Sequence, residues 1–308
     1  MIARNVTLKQ LRVFAAVVRT GSMAGAAQVL NVSPPAVTLQ MQLLQEQAGL
    51  PLLERSPAGT RPTTAGEELL ATIERIEASL AECSAVLAGL AGAEHGTVSV
   101  GIVSTAKYFA PRAVAAFARK KPRIELRLTV GNRADIIAGL KHYDLDVAIM
   151  GRPPEELEVE ATVIGDHPHV VIAPVDHPLA GRGQIPPKVL AEETFLVREP
   201  GSGTRSLMER FFAQAGVRPQ IGMQIGSNET IKQAVIAGLG LSFISGHTVE
   251  AEVANGRLAA LKVVGLPVVR QWYVVHLKQR RLMPAMDAVR HFLAEEGVNF
   301  LPQIAPRR

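Results

Sequence analysis

The chain has 308 residues, a formal net charge of +5 and a single cysteine, and 47% of its residues are hydrophobic. This length is enough for two or three domains with large cores, and one cysteine excludes an intrachain disulfide. No apolar stretch of about eighteen residues occurs, so we expect no transmembrane helix. The first segment lacks the charged-then-apolar pattern of an export signal, and we therefore expect a soluble, cytoplasmic protein.

Segment 8–49 has the pattern of three short helices separated by tight turns. Apolar residues at helical spacing predict the first helix: Leu8, Leu11, Phe14 and Val18. Gly21 ends that helix, and Ser22 is predicted to cap a second helix over 23–30. After a turn at residues 31–32, Ser33 is predicted to cap a third helix whose first turn tolerates two prolines.

The third helix has a short, polar outer face. A rotation of about 100° per residue turns Val37, Met41 and Leu44 inward and leaves four residues outward: Pro35, Thr38, Leu39 and Gln42. Thr and Gln offer donors and acceptors to base edges, and Pro or Leu contacts a thymine methyl group. The pattern predicts a helix that docks in the major groove of DNA, the alternative being a small helical bundle at a protein surface.

The next segment predicts a hairpin beside that helix. We expect a strand at 50–53, a turn at 54–61 and a return at 62–66, with Arg55 and Arg61 placed to meet phosphates. Residues 1–66 carry six basic and two acidic side chains, a net charge of +4, whereas residues 67–94 carry one basic and six acidic side chains, a net charge of −5. The positive charge is therefore concentrated in the segment that is predicted to meet the polyanion.

A long helix with a continuous apolar seam follows. Apolar residues recur at alternating spacings of four and three: Leu69, Ile73, Ile76, Leu80, Cys83, Leu87 and Leu90. This heptad pattern favours a dimerisation helix over packing against its own chain. Cys83 in this seam is interpreted as a small apolar residue rather than a redox sensor, and residues 88–92 are predicted to end the helix as a hinge.

From Gly96 onward apolar strands alternate with amphipathic helices. Strands near 98–102, 124–130 and 147–150, with helices at 108–120 and 133–142, predict a first α/β lobe. Strands at 169–173, 195–198 and 220–225, with helices at 204–215 and 229–238, predict a second. The strand 272–277 and the helix 284–296 are expected to return to the first lobe. This alternation predicts parallel sheets covered on both faces and a ligand cleft between the lobes.

Three loops that lead into helices are candidates for lining the cleft, because free N–H groups, hydroxyls and cations favour an anion. Their candidate residues are Ser104, Thr105, Lys107, Ser202, Thr204, Arg205, Asn228, Glu229 and Thr230. The alternative is that these hydroxyl and amide side chains only cap helices. Metal binding at His167, His169 and His177 is disfavoured since no accompanying ligand motif occurs.

The head of the chain resembles the winged helix-turn-helix of LysR-type transcriptional regulators. The resemblance is carried at fixed spacing by Ala26-Ala27, Leu30, Ser33, residues 35–38, Leu44, Gly49, Pro51-Leu52, Arg55 and residues 64–66. It implies that Ser33, Pro35, Thr38 and Gln42 address bases, and that Gln28, Arg55 and Arg61 hold the DNA backbone. It further implies a dimer of dimers, a contact with RNA polymerase, and bending of promoter DNA that an effector alters through lobe closure.

The remainder resembles the Calvin-cycle subgroup of that family, often called CbbR, in the runs 101–111, 146–154, 197–205 and 225–233. This resemblance implies activation of carbon-fixation (RuBisCO) operons in response to a small phosphorylated or nucleotide metabolite such as ribulose bisphosphate, phosphoenolpyruvate or NADPH. No cofactor and no metal are expected. A regulator of another operon that senses a carboxylate is the closest alternative.

The expected architecture has three parts. An all-α winged helix-turn-helix occupies residues 1–66 and a linker helix residues 67–92. An α/β effector domain like the two-lobed periplasmic binding proteins occupies residues 93–308, with lobe I at about 93–165 and 267–308 and lobe II at about 166–266. Two other classes remain as rivals, a metabolite-binding transport protein and an enzyme that uses Ser104 and Lys107 on a phosphorylated sugar. The S-x-x-K string at 104–107 lacks the K-T-G of serine acyl enzymes, and no nucleophile is paired with a base, so catalysis is not expected.

Overall fold

The structure, a computed structural model, describes residues 5–57, 59–90 and 96–303, and the side chains of residues 85 and 88–90 lie outside that description. The chain divides into two compact units, Met1–Ser84 and Ala85–Arg308. Each unit is built around cores of its own. Among the described helices none is long and apolar enough to cross a bilayer.

The N-terminal unit begins with three helices, α1 (Leu8–Thr20), α2 (Met23–Leu30) and α3 (Pro34–Ala48). Gly21 and Asn31 adopt left-handed backbone conformations where α1 and α2 end, which confirms both predicted breaks. Ser22 caps α2 by accepting a hydrogen bond from the Gly25 amide. Ser33 occupies the corresponding position of α3 but makes no capping bond through its side chain, so that part of the prediction is wrong.

The wing is a two-stranded antiparallel hairpin of β1 (Leu53–Ser56) and β2 (Gly59–Pro62). The predicted strand at 50–53 is wrong, because the chain is paired only from Leu53 onward and residues 54–56 belong to the strand rather than to the turn. Glu54 pairs with Arg61 in the ladder. Opposite charges at directly opposed positions stabilise an antiparallel pair.

Helix α4 (Thr64–Leu90) follows the wing. It starts in close contact with the preceding chain, because a Cβ on Gly66 would lie 2.1 Å from the Leu52 carbonyl oxygen. The helix includes residues 88–90, which were predicted as part of a hinge, while the rest of that hinge, residues 91–92, falls outside the described residues.

The C-terminal unit is organised on a seven-stranded sheet. Its order is β10-β6-β11-β5-β3-β4, and β9 also pairs with β6. The strands are β3 (Gly96–Val103), β4 (Ile124–Gly131), β5 (Val147–Met150), β6 (Val159–Ala173), β9 (Ser242–Ser245), β10 (Ala259–Leu261) and β11 (Val268–Leu277). A separate parallel pair consists of β7 (Thr194–Val197) and β8 (Gln220–Gln224).

In the described part of this unit, the α-helices that cover the sheets are α5 (Ala110–Lys120), α6 (Arg133–Lys141), α7 (Gly203–Gln214), α8 (Asn228–Ile236), α9 (Glu250–Ala254) and α10 (Pro284–Glu296). The expectation of parallel sheets holds for β3, β4 and β5. It is wrong for the pairs that β11 makes with β5 and β6 and for those that β6 makes with β9 and β10, all antiparallel. β9, β10 and α9 were not predicted.

Two long strands connect the lobes. β6 and β11 pair along their lengths, from Val268 opposite His169 to Leu277 opposite Val159. Trp272, Val274 and Val275 of β11 enter the core of the first lobe, together with apolar residues of α10. The alternating residues 170–173 of β6 enter two cores of the second lobe. The ends of the first-lobe strands thus meet the second lobe along this ladder.

Candidate nucleic-acid interface and effector site

The outer face of α3 is exposed as the sequence predicts. Pro35, Thr38, Leu39 and Gln42 are all exposed, while Val37, Met41 and Leu44 are buried. The Thr38 hydroxyl donates to the Pro34 carbonyl at 3.1 Å, so its oxygen remains an acceptor on the outer face. Gln28 and Ser33 are also exposed.

The two wing arginines differ in their partners. Arg61 is engaged by Glu54, with Nε donating to Oε1 at 2.6 Å. Arg55 is exposed and has no ion pair or hydrogen bond among the described residues. Of the two, Arg55 is the guanidinium that is available to a phosphate without first losing an internal partner.

The apolar seam of α4 divides into two parts. Leu69, Ile73 and Ile76 pack on the core formed by α1 to α3, so the first half of the predicted dimerisation seam is covered by its own chain. Leu80 is 40% exposed, Leu87 is 61% exposed and Cys83 is exposed. The Leu90 side chain lies outside the described residues.

In the C-terminal unit, a cavity of about 160 Å³ lies where strands of the first lobe end against the second. Ser104 and Thr105 follow β3, Asn132 and Arg133 follow β4, and Gly151 and Arg152 follow β5. Ser202 and Thr204 line the opposite wall at the start of α7 and are buried. Ser202 makes no capping bond through its side chain, so the positive end of α7 and a hydroxyl both face the cavity.

The lining is strongly cationic. Five arginines line the cavity and no carboxylate does: Arg133, Arg152, Arg198, Arg210 and Arg270. Arg198 is buried and compensated by Glu199, whose Oε2 accepts from Nε at 2.7 Å. Its other nitrogens donate to Ser104 Oγ at 3.1 Å and to Asn228 Oδ1. Arg152 pairs with Glu155.

Three of the arginines lack a carboxylate partner. Arg133 donates only to backbone carbonyls, those of Arg152 and Pro153, and neither Arg210 nor Arg270 has an ion pair or hydrogen bond among the described residues. Burial lowers the pKa of Arg270, and the charges of Arg210 and Arg152 lower it further. Burial likewise lowers the pKa of Arg133, against the opposing charge of Glu156. Arg133 and Arg270 are half-buried and Arg210 is exposed, and positive charges that repel one another around one cavity favour an anion between them.

Two histidines form one wall of the cavity. His167 stacks on Trp272 with 3.8 Å between ring centroids and contacts the His169 ring at 4.2 Å. Trp272 Nε1 donates to His247 Nδ1 at 3.0 Å. Burial lowers the pKa of His167 well below its usual value, that of His169 to about 3 and that of His247 to about 4. The three rings are therefore neutral at physiological pH, and no metal-binding group of three side chains occurs in the described part of the chain.

The predicted effector residues separate into groups. Ser104, Thr105, Ser202 and Thr204 line the cavity, and Asn228 lies behind it as a partner of Arg198. Arg205 lies away from the cavity, because it is held by Glu209 at 2.9 Å and by Gln224 at 2.8 Å. Lys107, Glu229 and Thr230 also lie outside the lining. For these four residues the prediction of a common cavity is wrong.

Glu229 belongs instead to a contact between the lobes at Tyr108. Lys232 Nζ lies 2.8 Å from carboxylate oxygens of Glu229 and Glu252 and 4.8 Å from the centre of the Tyr108 ring. The Tyr108 hydroxyl donates to Glu229 at 3.5 Å. Burial raises the pKa of Tyr108, so that hydroxyl keeps its proton as a donor.

Sequence reasoning missed all seven arginine and histidine residues of the lining: Arg133, Arg152, His167, His169, Arg198, Arg210 and Arg270. A signal existed for Arg133 and Arg152, because both directly follow predicted strands of the first lobe. Arg210 lies in the middle of α7 and Arg270 within a long strand. Their convergence depends on the tertiary fold.

Comparison with protein families gives two matches that follow one another along the chain. The bacterial regulatory helix-turn-helix domain of the lysR family matches residues 8–67, and the LysR substrate binding domain matches residues 91–297. The chain belongs to the LysR family. It is therefore a LysR-type DNA-binding transcriptional regulator, and the expected winged helix-turn-helix and effector domain are confirmed.

Relatives cover nearly the whole regulator. It is 58% identical over 305 residues to the HTH-type transcriptional regulator CbbR of Xanthobacter flavus, covering 98% of this chain and 92% of that protein. It is 46% identical over 293 residues to the RuBisCO operon transcriptional regulator of Allochromatium vinosum, covering 95% of this chain and 97% of that protein. These relatives are transcriptional regulators and not enzymes.

A solved structure resembles the effector domain. The regulatory domain of CcmR from Synechocystis PCC6803, in complex with 2-PG, is 38% identical with a TM-score of 0.63. The match covers 65% of this chain and 96% of that one.

Proposed function

We propose that this regulator activates carbon-fixation (RuBisCO) operons in response to a small phosphorylated anion. The operon class follows from two relatives, named CbbR and RuBisCO operon regulator, which align with more than nine-tenths of the chain. In this proposal residues 1–66 bind DNA, residues 67–92 link and dimerise, and residues 93–308 bind the effector.

The observation that carries the effector proposal is a group of cavity arginines with no ion pair or hydrogen bond to a carboxylate among the described residues. Arg133, Arg210 and Arg270 line one small space without a carboxylate partner. Guanidinium groups bind the oxygens of phosphates and carboxylates through paired hydrogen bonds. Two or three charges on the ligand match these arginines better than a neutral sugar or a single carboxylate.

The volume of the cavity narrows the choice. Pockets for drug-sized ligands measure about 300–1,000 Å³, whereas this cavity measures about 160 Å³. It therefore favours phosphoenolpyruvate, ribulose bisphosphate or the 2-PG named for the CcmR domain over the much larger NADPH. The alternative is a regulator of another operon that senses a carboxylate.

At the DNA, Ser33, Pro35, Thr38 and Gln42 are proposed to contact bases, while Gln28, Arg55 and Arg61 contact the backbone. A dimer of dimers would place the heads along one promoter, with effector binding altering the DNA bend and the contact with RNA polymerase. Ser104, Thr105, Ser202 and Thr204 are proposed to bind the anion beside the arginines. Asn228 contributes by holding Arg198 in place.

A thermal-shift and footprinting experiment tests this proposal. An anion present at about 100 times its Kd raises the free energy of unfolding by about 2.7 kcal/mol. We expect phosphoenolpyruvate, ribulose bisphosphate or 2-PG to do so and to change the footprint on a RuBisCO promoter fragment. Arg270→Gln should remove both responses and leave basal DNA binding intact, while Arg205→Gln, with its guanidinium outside the cavity, should respond like the wild type.

Two results would contradict the proposal. Stabilisation by none of these anions would remove the effector class. Equal responses from the Arg270→Gln and Arg205→Gln variants would move the site away from the cavity.

A further inference from the structure

A polar atom in the wall of the effector cavity is unused by the fold. His167 lines the cavity and is 4% exposed, and its Nδ1 has no hydrogen-bond partner among the described residues. The atom faces Gly151, another lining residue, because a Cβ at that position would lie 2.9 Å from Nδ1. Glycine at position 151 keeps a side chain away from this nitrogen.

The rest of the imidazole is held in place. Nε2 lies 2.9 Å from Ser245 Oγ. One ring face stacks on Trp272 with an interplanar angle of 16°, and His169 also packs against the ring. A flip of the ring would break the hydrogen bond between Nε2 and Ser245 and leave Nε2 unpaired. The observed orientation of Nδ1 is therefore favoured. Leaving a buried polar atom without a partner is destabilising, and a bound ligand that supplies the partner accounts for its presence in a cavity wall.

The charge state of the ring limits what Nδ1 does. Burial keeps the pKa of His167 well below its usual value, so the ring is neutral and carries one N–H. Ionised phosphate and carboxylate oxygens only accept hydrogen bonds. A bond from Nδ1 to such an oxygen therefore requires the proton on Nδ1. The Ser245 hydroxyl rotates freely and can then donate to Nε2.

We infer that His167 is a ligand-contact residue, which donates its Nδ1–H to an ionised oxygen of the small anion held by the cavity arginines. The inference rests on the proposed effector class and adds to it one neutral, directional donor. The arginines supply charge that any compact anion satisfies. His167 selects among such anions for one with an oxygen next to Gly151.

The single tryptophan of the chain reports on this contact. Trp272 is the only tryptophan in the sequence, and its indole stacks on the His167 ring. Titration of the full-length regulator with 2-PG and with phosphoenolpyruvate, followed by tryptophan fluorescence and by calorimetry, gives two independent affinities for each probe.

Two substitutions separate the nitrogens of the ring. Asn in place of His167 keeps an amide donor near the position of Nδ1, whereas Gln places its amide near the position of Nε2. We expect His167→Asn to bind within about threefold of the wild type. His167→Gln should bind about 10- to 100-fold more weakly, the usual effect of losing a hydrogen bond to a charged group. His291→Gln on the exposed surface of α10 is the matched control and should bind unchanged.

A crystal structure of the wild-type regulator with the tighter probe gives the second measurement. We expect a ligand oxygen about 2.7–3.2 Å from His167 Nδ1. A wild type that binds the probe with every ligand oxygen beyond 3.5 Å from Nδ1, or His167→Gln binding as tightly as His167→Asn, overturns the inference while the proposed function stands. A wild type that binds none of the candidate anions overturns the proposed function, and the His167 contact falls with it.

Discussion

Three histidine side chains in the effector domain are buried, and burial opposes their charged forms. His167, His169 and His247 are each no more than 5% exposed, and their nearest charged neighbours include Arg270, which opposes protonation of the first two. Asp166 favours protonation of His247 but does not outweigh its burial. The folded chain therefore prefers three neutral rings, while the unfolded chain protonates each near its ordinary pKa of about 6.5.

This difference predicts a loss of stability in mild acid. Folding lowers the pKa of these histidines. Their contribution to the free energy of unfolding is therefore fully present above about pH 6.5. Their contribution decreases as the pH falls from there toward the folded values of about 4 for His247 and about 3 for His169. Each histidine should lower the free energy of unfolding by about 1.4 kcal/mol per pH unit in this range. Urea unfolding followed by Trp272 fluorescence between pH 7.5 and 5.5 measures the slope.

A variant separates the histidines from other acid-sensitive groups. His247→Gln removes one titrating ring, so the slope below pH 6.5 should become shallower by about 1.4 kcal/mol per pH unit. An identical slope in the wild type and the variant would show that His247 is protonated equally well in both states.

At the scale of elements, the wing combines one paired and one unpaired arginine on adjacent strands. Glu54 already neutralises Arg61 across the hairpin, so a phosphate must compete with a carboxylate for that side chain. Arg55 has no such competitor among the described residues. From the sequence, both arginines are equally good candidates for phosphate contacts. Only the register of the hairpin, which places Glu54 opposite Arg61, distinguishes them.

The wing arginines should therefore differ in their salt dependence. Binding to a promoter fragment loses affinity with salt in proportion to the number of neutralised phosphates. Arg55→Ala should reduce that slope by about one, and Arg61→Ala should reduce it by less, because Glu54 already neutralises Arg61 in the free protein. Titrations at several salt concentrations test both variants against the wild type. Equal slopes for the two variants would mean that DNA displaces Glu54 completely.

Elements with a strong local pattern were predicted well. The strand Val147–Met150 and the helix Pro284–Glu296 have the predicted bounds. The first is a fully buried apolar run, and the second begins at a proline and keeps an apolar face. Ser242–Ser245 was missed although all four residues are buried, since serines at both ends conceal a strand whose partner is distant in the chain.

The cavity shows the same division. Ser104, Thr105, Ser202 and Thr204 were predicted from the sequence, because their hydroxyls lie where strands end or helices begin. Arg270 is brought to the cavity by the long β6–β11 ladder. That ladder is antiparallel, and alternation of strands and helices had indicated parallel sheets. The contribution of Arg270 to the ligand class thus depended on the part of the topology that the sequence did not reveal.

At the scale of the whole molecule, α4 belongs to the DNA-binding unit along its first half. Ile73 is buried in the head, and Arg12 of α1 binds Glu77 with Nε donating to Oε1 at 2.7 Å. The apolar seam continues past this contact with Leu80, Cys83 and Leu87 exposed. A seam that its own chain covers only in part matches a helix that holds the head on one side and a second copy of the chain further along.

Because half of the seam is exposed, substitutions there can disrupt assembly without disrupting the fold of a single chain. Leu80→Glu combined with Leu87→Glu places charges in the proposed helix pair, where like charges from two copies would face each other. We expect sedimentation to detect a smaller species at micromolar concentration, with the unfolding of a single chain almost unchanged because both side chains are exposed in it. Ile73→Glu is the contrasting change, since a carboxylate at that buried position should unfold the head itself. Loss of promoter binding by the double variant would follow from losing paired heads on two half-sites. If the double variant sediments like the wild type, the copies are held together by another surface and the α4 seam has no part in assembly.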